Sequence, residues 1–100
     1  MNQRKELKEI KTILKMNKPL LAERFKLKEI GIFGSRVRGE ERKKSDVDIL
    51  VEFYEVISLL DFVALESELS ELIGEKVDLV MESALKPRIG KRILREVMYL

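Results

Sequence analysis

The sequence predicts a single α+β domain over residues 1–100, in which a small mixed β-sheet is covered on one face by helices. Three observations support this fold class. Short runs of alternating apolar residues are typical of strands, longer segments with apolar residues every three or four positions are typical of helices, and the two kinds of segment are interspersed. A chain of 100 residues is long enough for one modest core and too short for separate cofactor and substrate domains.

The first quarter of the chain predicts two helices. From about residue 3 to 16, apolar residues such as Ile10 and Leu14 recur on one helix face, with basic residues on another. Asn17 is a residue type that favours the position just before a helix, and Pro19 then fits the first turn of a second, shorter helix.

The next segment predicts two strands joined by a turn. The apolar run 29–33 predicts a strand that ends at Gly34, residues 35–39 fit one helical turn, and residues 40–45 form a charged loop. Residues 46–53 predict the second strand. Because side chains alternate between the two faces of a strand, this one has a wholly apolar face and an opposite face that begins with acids.

The second half of the chain predicts a helix, a strand and a closing helix. The long helix begins after Ser58, since Asp61 follows at the spacing of a capping box, and it ends at Gly74. Residues 76–82 predict a third strand with the same alternation of apolar and acidic positions. Residues 88–98 predict a final helix with one apolar and one basic face.

The charges are segregated along the sequence. The formal net charge is only +2, but residues 1–45 have a net charge of +8, residues 46–82 of −10 and residues 83–100 of +4. The boundary between the first basic segment and the acidic segment is therefore the place where an anionic ligand and a cation could bind side by side.

Three aspartates form the candidate catalytic and metal-binding group. Asp46 and Asp48 lie on one side of the second predicted strand, about 6.5–7 Å apart along the backbone. Asp78 has the corresponding position on the third strand, so the three carboxylates gather on the exposed face if these strands are neighbours. Carboxylate oxygens favour Mg²⁺, and such a cluster can bind two Mg²⁺ ions that promote phosphoryl transfer.

The turn before this strand forms the candidate phosphate-binding group. Gly34 at the strand end allows the backbone to approach a phosphate closely, and Ser35 adds a hydroxyl and an amide at the start of the helical turn. Arg36 and Arg38 add positive charge. This turn therefore predicts a site at Gly34 and Ser35 that holds a triphosphate between Mg²⁺ and backbone donors.

Several classes of function are excluded by composition. The chain has no histidine and no cysteine, which removes the usual general base, zinc ligands and disulfide bonds. No apolar run reaches 18 residues and the first residues are charged, so we expect no membrane association and a cytoplasmic location.

The basic faces of the first and the last predicted helix do not predict a site for nucleic acid. Aromatic residues do not alternate with their basic residues as stacking platforms would, so direct binding of nucleic acid is not expected. A solvated surface is the first interpretation of these faces, and contact with a partner or with phosphates is the alternative.

Two runs of residues closely resemble the signature of the minimal nucleotidyltransferase (MNT) family, within the DNA polymerase β-like nucleotidyltransferase superfamily. They are residues 34–39, GSRVRG, and residues 45–51, SDVDILV. The family pattern is G-S-x-A-R-G, a short spacer, and S-D-x-D followed by two hydrophobic residues and valine. Val37 replaces the usual alanine. The resemblance covers most of the chain, because residues 76–81 resemble the strand of the third acid and residues 89–100 the closing helix.

This resemblance implies a polymerase β-like fold and transfer of AMP from ATP to a hydroxyl group, with release of pyrophosphate. It implies that Gly34 and Ser35 bind the β- and γ-phosphates and that Arg38 braces the loop or the phosphates. Asp46 and Asp48, the two acids of the S-D-x-D run, would each bind both Mg²⁺ ions. Asp78 would bind the catalytic ion and accept the proton of the acceptor hydroxyl.

The resemblance also implies a partner. Many MNT proteins that stand alone are antitoxins paired with a HEPN ribonuclease toxin, and related antitoxins transfer AMP to a tyrosine of that toxin. We therefore predict an antitoxin whose partner is a HEPN-type toxin protein. Two alternatives stay open: a non-catalytic antitoxin that neutralises its partner by contact, and a subunit of an aminoglycoside-type nucleotidyltransferase that modifies a small molecule.

Overall fold

A computed structural model describes residues 5–39 and 46–100 of the chain. The described residues form a four-stranded mixed sheet and four helices, which confirms the predicted α+β fold class. In chain order the elements are α1 (Leu7–Phe25), β1 (Leu27–Phe33), α2 (Ser35–Arg38), β2 (Val47–Phe53), α3 (Leu59–Ile73), β3 (Val77–Met81), a 3-10 turn (Glu82–Ala84), α4 (Pro87–Glu96) and β4 (Met98–Tyr99).

The sheet has the strand order β3-β2-β1-β4. β1 runs antiparallel to both β2 and β4, whereas β2 and β3 are parallel. Parallel neighbours need a crossover connection, and α3 supplies it. The ends of β1 and the starts of β2 and β3 therefore lie at the same edge of the sheet.

α1 is one continuous helix, whereas the sequence predicts two. Leu14 and Leu21, on either side of Pro19, are both buried on the same helix stripe, so packing against the core favours continuing the helix through the exposed proline. The side-chain amide of Asn17 donates a hydrogen bond to the carbonyl oxygen of Ile13 at 2.8 Å and does not cap a new helix. Tertiary packing here overrides the local signals for a break.

α1 and α3 cover one face of the sheet. The core between them contains the predicted apolar face of β2, with Val47, Ile49 and Val51 buried against residues such as Leu14 of α1 and Leu69 of α3. The polar face of β2 is directed to the other side of the sheet.

α4 packs over part of that opposite face. Ile93 of α4 contacts Phe33 of β1 and Leu50 of β2 in a second, smaller apolar cluster. The predicted open face is thus covered around Leu50, while the acids at the start of β2 and β3 lie beside this covered part.

The chain after α4 forms a strand where the sequence predicts none. The sequence predicts a helix up to residue 98, but α4 ends at Glu96, and Met98 and Tyr99 pair with Ile32 and Gly31 of β1. A strand of two residues is too short to produce a periodic signal. Its pairing fixes the C-terminal end of α4 against β1.

α3 begins and ends where the sequence predicts. The hydroxyl of Ser58 accepts a hydrogen bond from the amide of Asp61 at 3.1 Å, and Gly74 ends the helix with φ of 79°. Among the described residues, no helix combines the length and apolar character needed to cross a membrane.

Candidate active site

The predicted site residues come together where β1 ends and β2 and β3 begin. Phe33, the last residue of β1, pairs with Asp48 of β2, and Asp48 lies directly opposite Asp78 of β3. Because these parallel strands are in register, both aspartate side chains are on the same face of the sheet. The structure confirms that the two strands are neighbours, as the predicted acid cluster requires.

Gly34 packs against the carboxylate of Asp48. A Cβ atom at residue 34 would lie 2.1 Å from Oδ2 of Asp48, and the backbone of Gly34 has φ of 85° and ψ of −156°, a region that is essentially restricted to glycine. The glycine therefore allows the chain to turn immediately above an acid of the candidate site.

Ser35 begins α2 with its polar groups open. The amides of Val37 and Arg38 donate to the carbonyl oxygen of Gly34 at 3.1 and 3.2 Å, which closes the single helical turn. In the part of the chain that the structure describes, neither the amide nor the hydroxyl of half-buried Ser35 has a hydrogen-bond partner. Both groups are available to an anion.

Asp48 is the most perturbed acid of the site. Burial, together with the negative charges of Asp78 and Asp46, raises the pKa of Asp48 from 3.8 to about 6, and the positive charge of Arg38 opposes this shift. A hydrogen bond between the carboxyls of Asp48 and Asp78 also raises the pKa of Asp48. The site thus concentrates negative charge that a cation would relieve.

Asp46 lies at the margin of this pair. Its Oδ2 is 4.0 Å from Nζ of Lys76, the residue before β3, and it is close enough to raise the pKa of Asp48. Over residues 5–39 and 46–100, no three acidic side chains are positioned to coordinate a single ion. The structure therefore brings Asp48 and Asp78 into direct contact and leaves Asp46 beside them.

Glu96 contacts the predicted phosphate-binding group, although no motif in the sequence includes it. Its Oε2 accepts a hydrogen bond from the amide of Gly34 at 2.7 Å, and its carboxylate accepts bonds from Nη1 of Arg38 at 2.9 and 3.0 Å. One signal could have indicated this residue: Glu96 is the single acid among residues 83–100, at the end of a basic helix.

Arg36 does not belong to the site, contrary to the expectation that it supplies charge to a phosphate. Its side chain is 2% exposed and forms an ion pair with Glu75, which lies between α3 and β3. Nη1 of Arg36 also donates to the carbonyl oxygen of Lys5 at 3.3 Å. Arg36 therefore connects α2 to the core side of the molecule, while Arg38 faces the acids.

The predicted charged loop, residues 40–45, lies outside the described residues, and so does Ser45 of the S-D-x-D run.

Comparison with known proteins identifies the family. A model of the nucleotidyltransferase domain matches residues 7–100. The protein adenylyltransferase MntA of Thermococcus cleftensis is 57% identical over 93 residues, which cover 93% of this chain and 94% of that protein. A solved structure of a candidate minimal nucleotidyltransferase matches with a TM-score of 0.84 and 36% identity, over 99% of this chain and 100% of the other.

A further match is informative about fold alone. The crystal structure of a toxin–antitoxin pair with AMP-PNP contains a chain that matches with a TM-score of 0.67 and 24% identity, over 92% of this chain and 69% of the other.

The matched residues include every element that contributes to the site. The family model covers α1 through β4, and the relative from Thermococcus cleftensis is similar over almost its whole length. The resemblance first indicated by the GSRVRG and SDVDILV runs is thereby confirmed. The chain belongs to the nucleotidyltransferase domain family, and it is an enzyme of the nucleotidyltransferase class.

Proposed function

We propose that the chain is a magnesium-dependent protein adenylyltransferase that moves AMP from ATP to a hydroxyl group of a partner protein. The proposal rests on the pairing of Asp48 with Asp78 beside the turn at Gly34 and Ser35, which joins carboxylates and phosphate donors at one edge of the sheet. The relative that is 57% identical is named a protein adenylyltransferase, which supports the same activity here. We treat residues 1–100 as one catalytic domain.

Asp46, Asp48 and Asp78 are the residues that would hold two Mg²⁺ ions. Their oxygen-only ligand set suits Mg²⁺, and burial and the crowding of negative charge, which raise the pKa of Asp48, are both offset when a cation binds. When bound, Mg²⁺ neutralises the negative charge that develops on the phosphates during transfer.

Ser35 and Arg38 are the residues that would bind the triphosphate. Ser35 offers a hydroxyl and an amide without protein partners in the described ranges, and Arg38 adds the positive charge of its guanidinium. The resemblance assigns Gly34 to the phosphates as well, and because its amide donates to Glu96, we propose that it serves the phosphate site through the shape of the turn. It allows the turn to pass close to Asp48.

The proposed reaction forms one phosphoester bond and breaks one phosphoanhydride bond. The acceptor oxygen attacks the α-phosphorus of ATP, the bond from that phosphorus to the oxygen bridging to the β-phosphate breaks, and pyrophosphate leaves. The acceptor hydroxyl loses its proton, and we propose that the carboxylate of Asp78 accepts it. This carboxylate is exposed, whereas Asp46 and Asp48 are half-buried, so an acceptor on another protein can reach it.

The acceptor that we propose is a tyrosine of a HEPN-type ribonuclease toxin, which makes this chain an antitoxin. The MNT signature and the adenylyltransferase at 57% identity support this choice, and the fold also occurs in a toxin–antitoxin pair. We assign the activity to the cytoplasm, where ATP is available and a chain without cysteine needs no oxidising compartment.

A labelling experiment tests this function. The purified chain is incubated with Mg²⁺, ATP radiolabelled on its α-phosphate, and the HEPN-type protein encoded by the neighbouring gene. We expect label on a tyrosine of that protein, and we expect it to be lost with EDTA and with Asp48→Asn. Glu71→Gln, which changes an exposed acid on α3 outside the site, is the matched control and should label normally.

Two other outcomes would contradict the proposal. If Asp48→Asn still blocks the ribonuclease without labelling it, the chain is an antitoxin that acts by contact. If an aminoglycoside is labelled and the HEPN-type protein is not, the chain modifies small molecules.

A further inference from the structure

Glu96 connects the end of α4 to both ends of α2. Its Oε2 accepts from the amide of Gly34 at 2.7 Å, before the first residue of α2, and its carboxylate also accepts from Nη1 of Arg38, the last residue of α2, at 2.9 Å. One carboxylate thus fixes the peptide at which the turn begins and the guanidinium at which it ends.

The backbone that presents Glu96 is itself well fixed. Ile93, one turn earlier, is buried against Phe33 and Leu50, and the amide of Val97 donates to the carbonyl oxygen of Ile93 at 2.9 Å. The chain then enters β4, which pairs with β1. The position of Glu96 is therefore fixed by the packing of α4 and β4 on the sheet, independently of the turn at Gly34 that Glu96 contacts.

Glu96 is the more shielded partner of the ion pair. The side chain of Glu96 is 15% exposed and that of Arg38 is 31% exposed. Because two charge-assisted hydrogen bonds join one guanidinium nitrogen to a partly shielded carboxylate, they restrict the orientation of Arg38 more than a fully solvated pair would. The guanidinium is also close enough to Asp48 to lower its pKa, so Glu96 fixes Arg38 next to the acids of the site.

The bonds from Glu96 also separate two sets of donors. The amide of Gly34 is occupied by Glu96, whereas the amide and hydroxyl of Ser35 have no partner among the described residues. A triphosphate can therefore bind Ser35 and approach Arg38 without breaking the bond between Glu96 and Gly34.

We propose that Glu96 is a positioning residue for nucleotide binding. It orients the guanidinium of Arg38 and the peptide of Gly34 so that Arg38 and Ser35 together receive the triphosphate of a nucleoside triphosphate. Glu96 does not contact the nucleotide, and its effect is transmitted mainly through Arg38. This inference rests on the proposed function, because it concerns the affinity of the same site for ATP.

A double-mutant cycle tests the inference. Equilibrium binding of ATP with Mg²⁺ is measured for the wild type, Glu96→Ala, Arg38→Ala and the double variant, with thermal unfolding of each recorded separately. Loss of a charge-assisted bond predicts about tenfold weaker binding for Glu96→Ala. If Glu96 acts mainly through Arg38, Glu96→Ala weakens binding much less in the Arg38→Ala background than it does in the wild type. Leu94→Ala, on the same helix and outside these contacts, is the control and should bind as the wild type does.

Each contrary outcome has a distinct meaning. Tighter binding by Glu96→Ala would overturn the inference and make Glu96 an anion that competes with phosphate. An undiminished loss in the Arg38→Ala background would also overturn it, because Glu96 would then act through the general structure of the turn. If Glu96→Ala does not fold, Glu96→Gln replaces it in the cycle and is judged by the same criterion. A wild-type chain that does not bind ATP would overturn the proposed function, and this inference with it.

Discussion

Asp48 and Asp78 face each other in register across two parallel strands and share a hydrogen bond. Burial of Asp48, together with the negative charge of Asp78, raises the pKa of Asp48, so Asp48 retains a proton at pH values where an isolated aspartate is ionised. The fold accepts this repulsion because both strands are fixed on their other face by the core under α1 and α3. A cation bound at these carboxyls would relieve the repulsion and stabilise the folded chain. The relation between the two carboxyls leads directly to a prediction about stability.

Asp48→Asn should stabilise the fold at pH 8 in the presence of EDTA. The pKa of Asp48 is raised from 3.8 to about 6 on folding, so between these values the folded chain binds more protons than the unfolded chain, and the free energy of unfolding falls as the pH rises through this window. After allowance for solvent screening at this partly accessible group, we expect the variant to gain about 1–2 kcal/mol at pH 8.

The advantage of Asp48→Asn should shrink strongly at pH 3.5, below the unfolded value of 3.8, where the wild-type carboxyl is mostly protonated in both states. Urea unfolding at the two pH values measures the difference. A variant that is less stable than the wild type at pH 8 would contradict the crowding of negative charge inferred at this position.

Gly34→Ala should be far more disruptive than Gly39→Ala, although both glycines have positive φ. A methyl group at residue 34 meets Asp48 at 2.1 Å, whereas one at residue 39 meets none of the described residues within 4 Å. We expect Gly34→Ala to cost about 2–4 kcal/mol, from backbone strain and displacement of Asp48, and Gly39→Ala about 1–2 kcal/mol from backbone strain alone.

Binding of ATP distinguishes the two glycine variants as well. Gly34→Ala moves an acid of the site and should lose binding even in its folded fraction, while Gly39→Ala should retain it. Equal losses of stability at the two positions would show that the contact with Asp48 has no energetic consequence.

The acid pair and the glycine turn were predictable because their signals are local. Alternation along β2 and β3 assigns Asp48 and Asp78 to the polar faces of their strands whatever the rest of the fold does. Alternation alone does not show whether β2 and β3 are neighbours. In the structure they pair in parallel, with α3 as the crossover between them.

Glu96 and Arg36 were not predictable in the same way. Glu96 acts on residues 58 and 62 positions away, a relation that depends on where α4 packs. Arg36 and Arg38 look equivalent in the sequence, but two residues on a helical turn are rotated by about 200°, so one enters the core and the other faces the acids. Pro19 is a third case. Its local preference is for the first turn of a new helix, but burial of Leu21 favours continuing α1 through it.

Arg36→Ala should destabilise the protein through Glu75. The side chains of the pair are 2% and 16% exposed, and removing the guanidinium takes a charged partner from a shielded carboxylate to which the amide of Lys5 still donates at 2.9 Å, so we expect a loss of about 3 kcal/mol. The double variant Arg36→Met, Glu75→Leu should recover most of this loss, because an apolar pair of similar volume replaces the ions.

ATP binding serves as the control for this prediction. Arg36 lies away from the acids, so the folded double variant should bind ATP as the wild type does. Loss of binding in a double variant of normal stability would restore the sequence-based expectation that Arg36 contacts phosphate.

Two serines at helix starts should respond in opposite ways to substitution by alanine. The hydroxyl of Ser58 accepts from the amide of Asp61, so Ser58→Ala should lower the free energy of unfolding by about 1 kcal/mol and leave ATP binding unchanged. The hydroxyl of Ser35 has no partner in the described chain, so its removal should leave stability unchanged.

Ser35→Ala should instead weaken ATP binding by about tenfold, the loss expected for one hydrogen bond to a charged phosphate. Urea unfolding and ATP titration on the two variants give the four values that decide this. If Ser35→Ala unfolds more easily and binds ATP normally, the hydroxyl has a structural partner, and the assignment of Ser35 to the triphosphate is wrong.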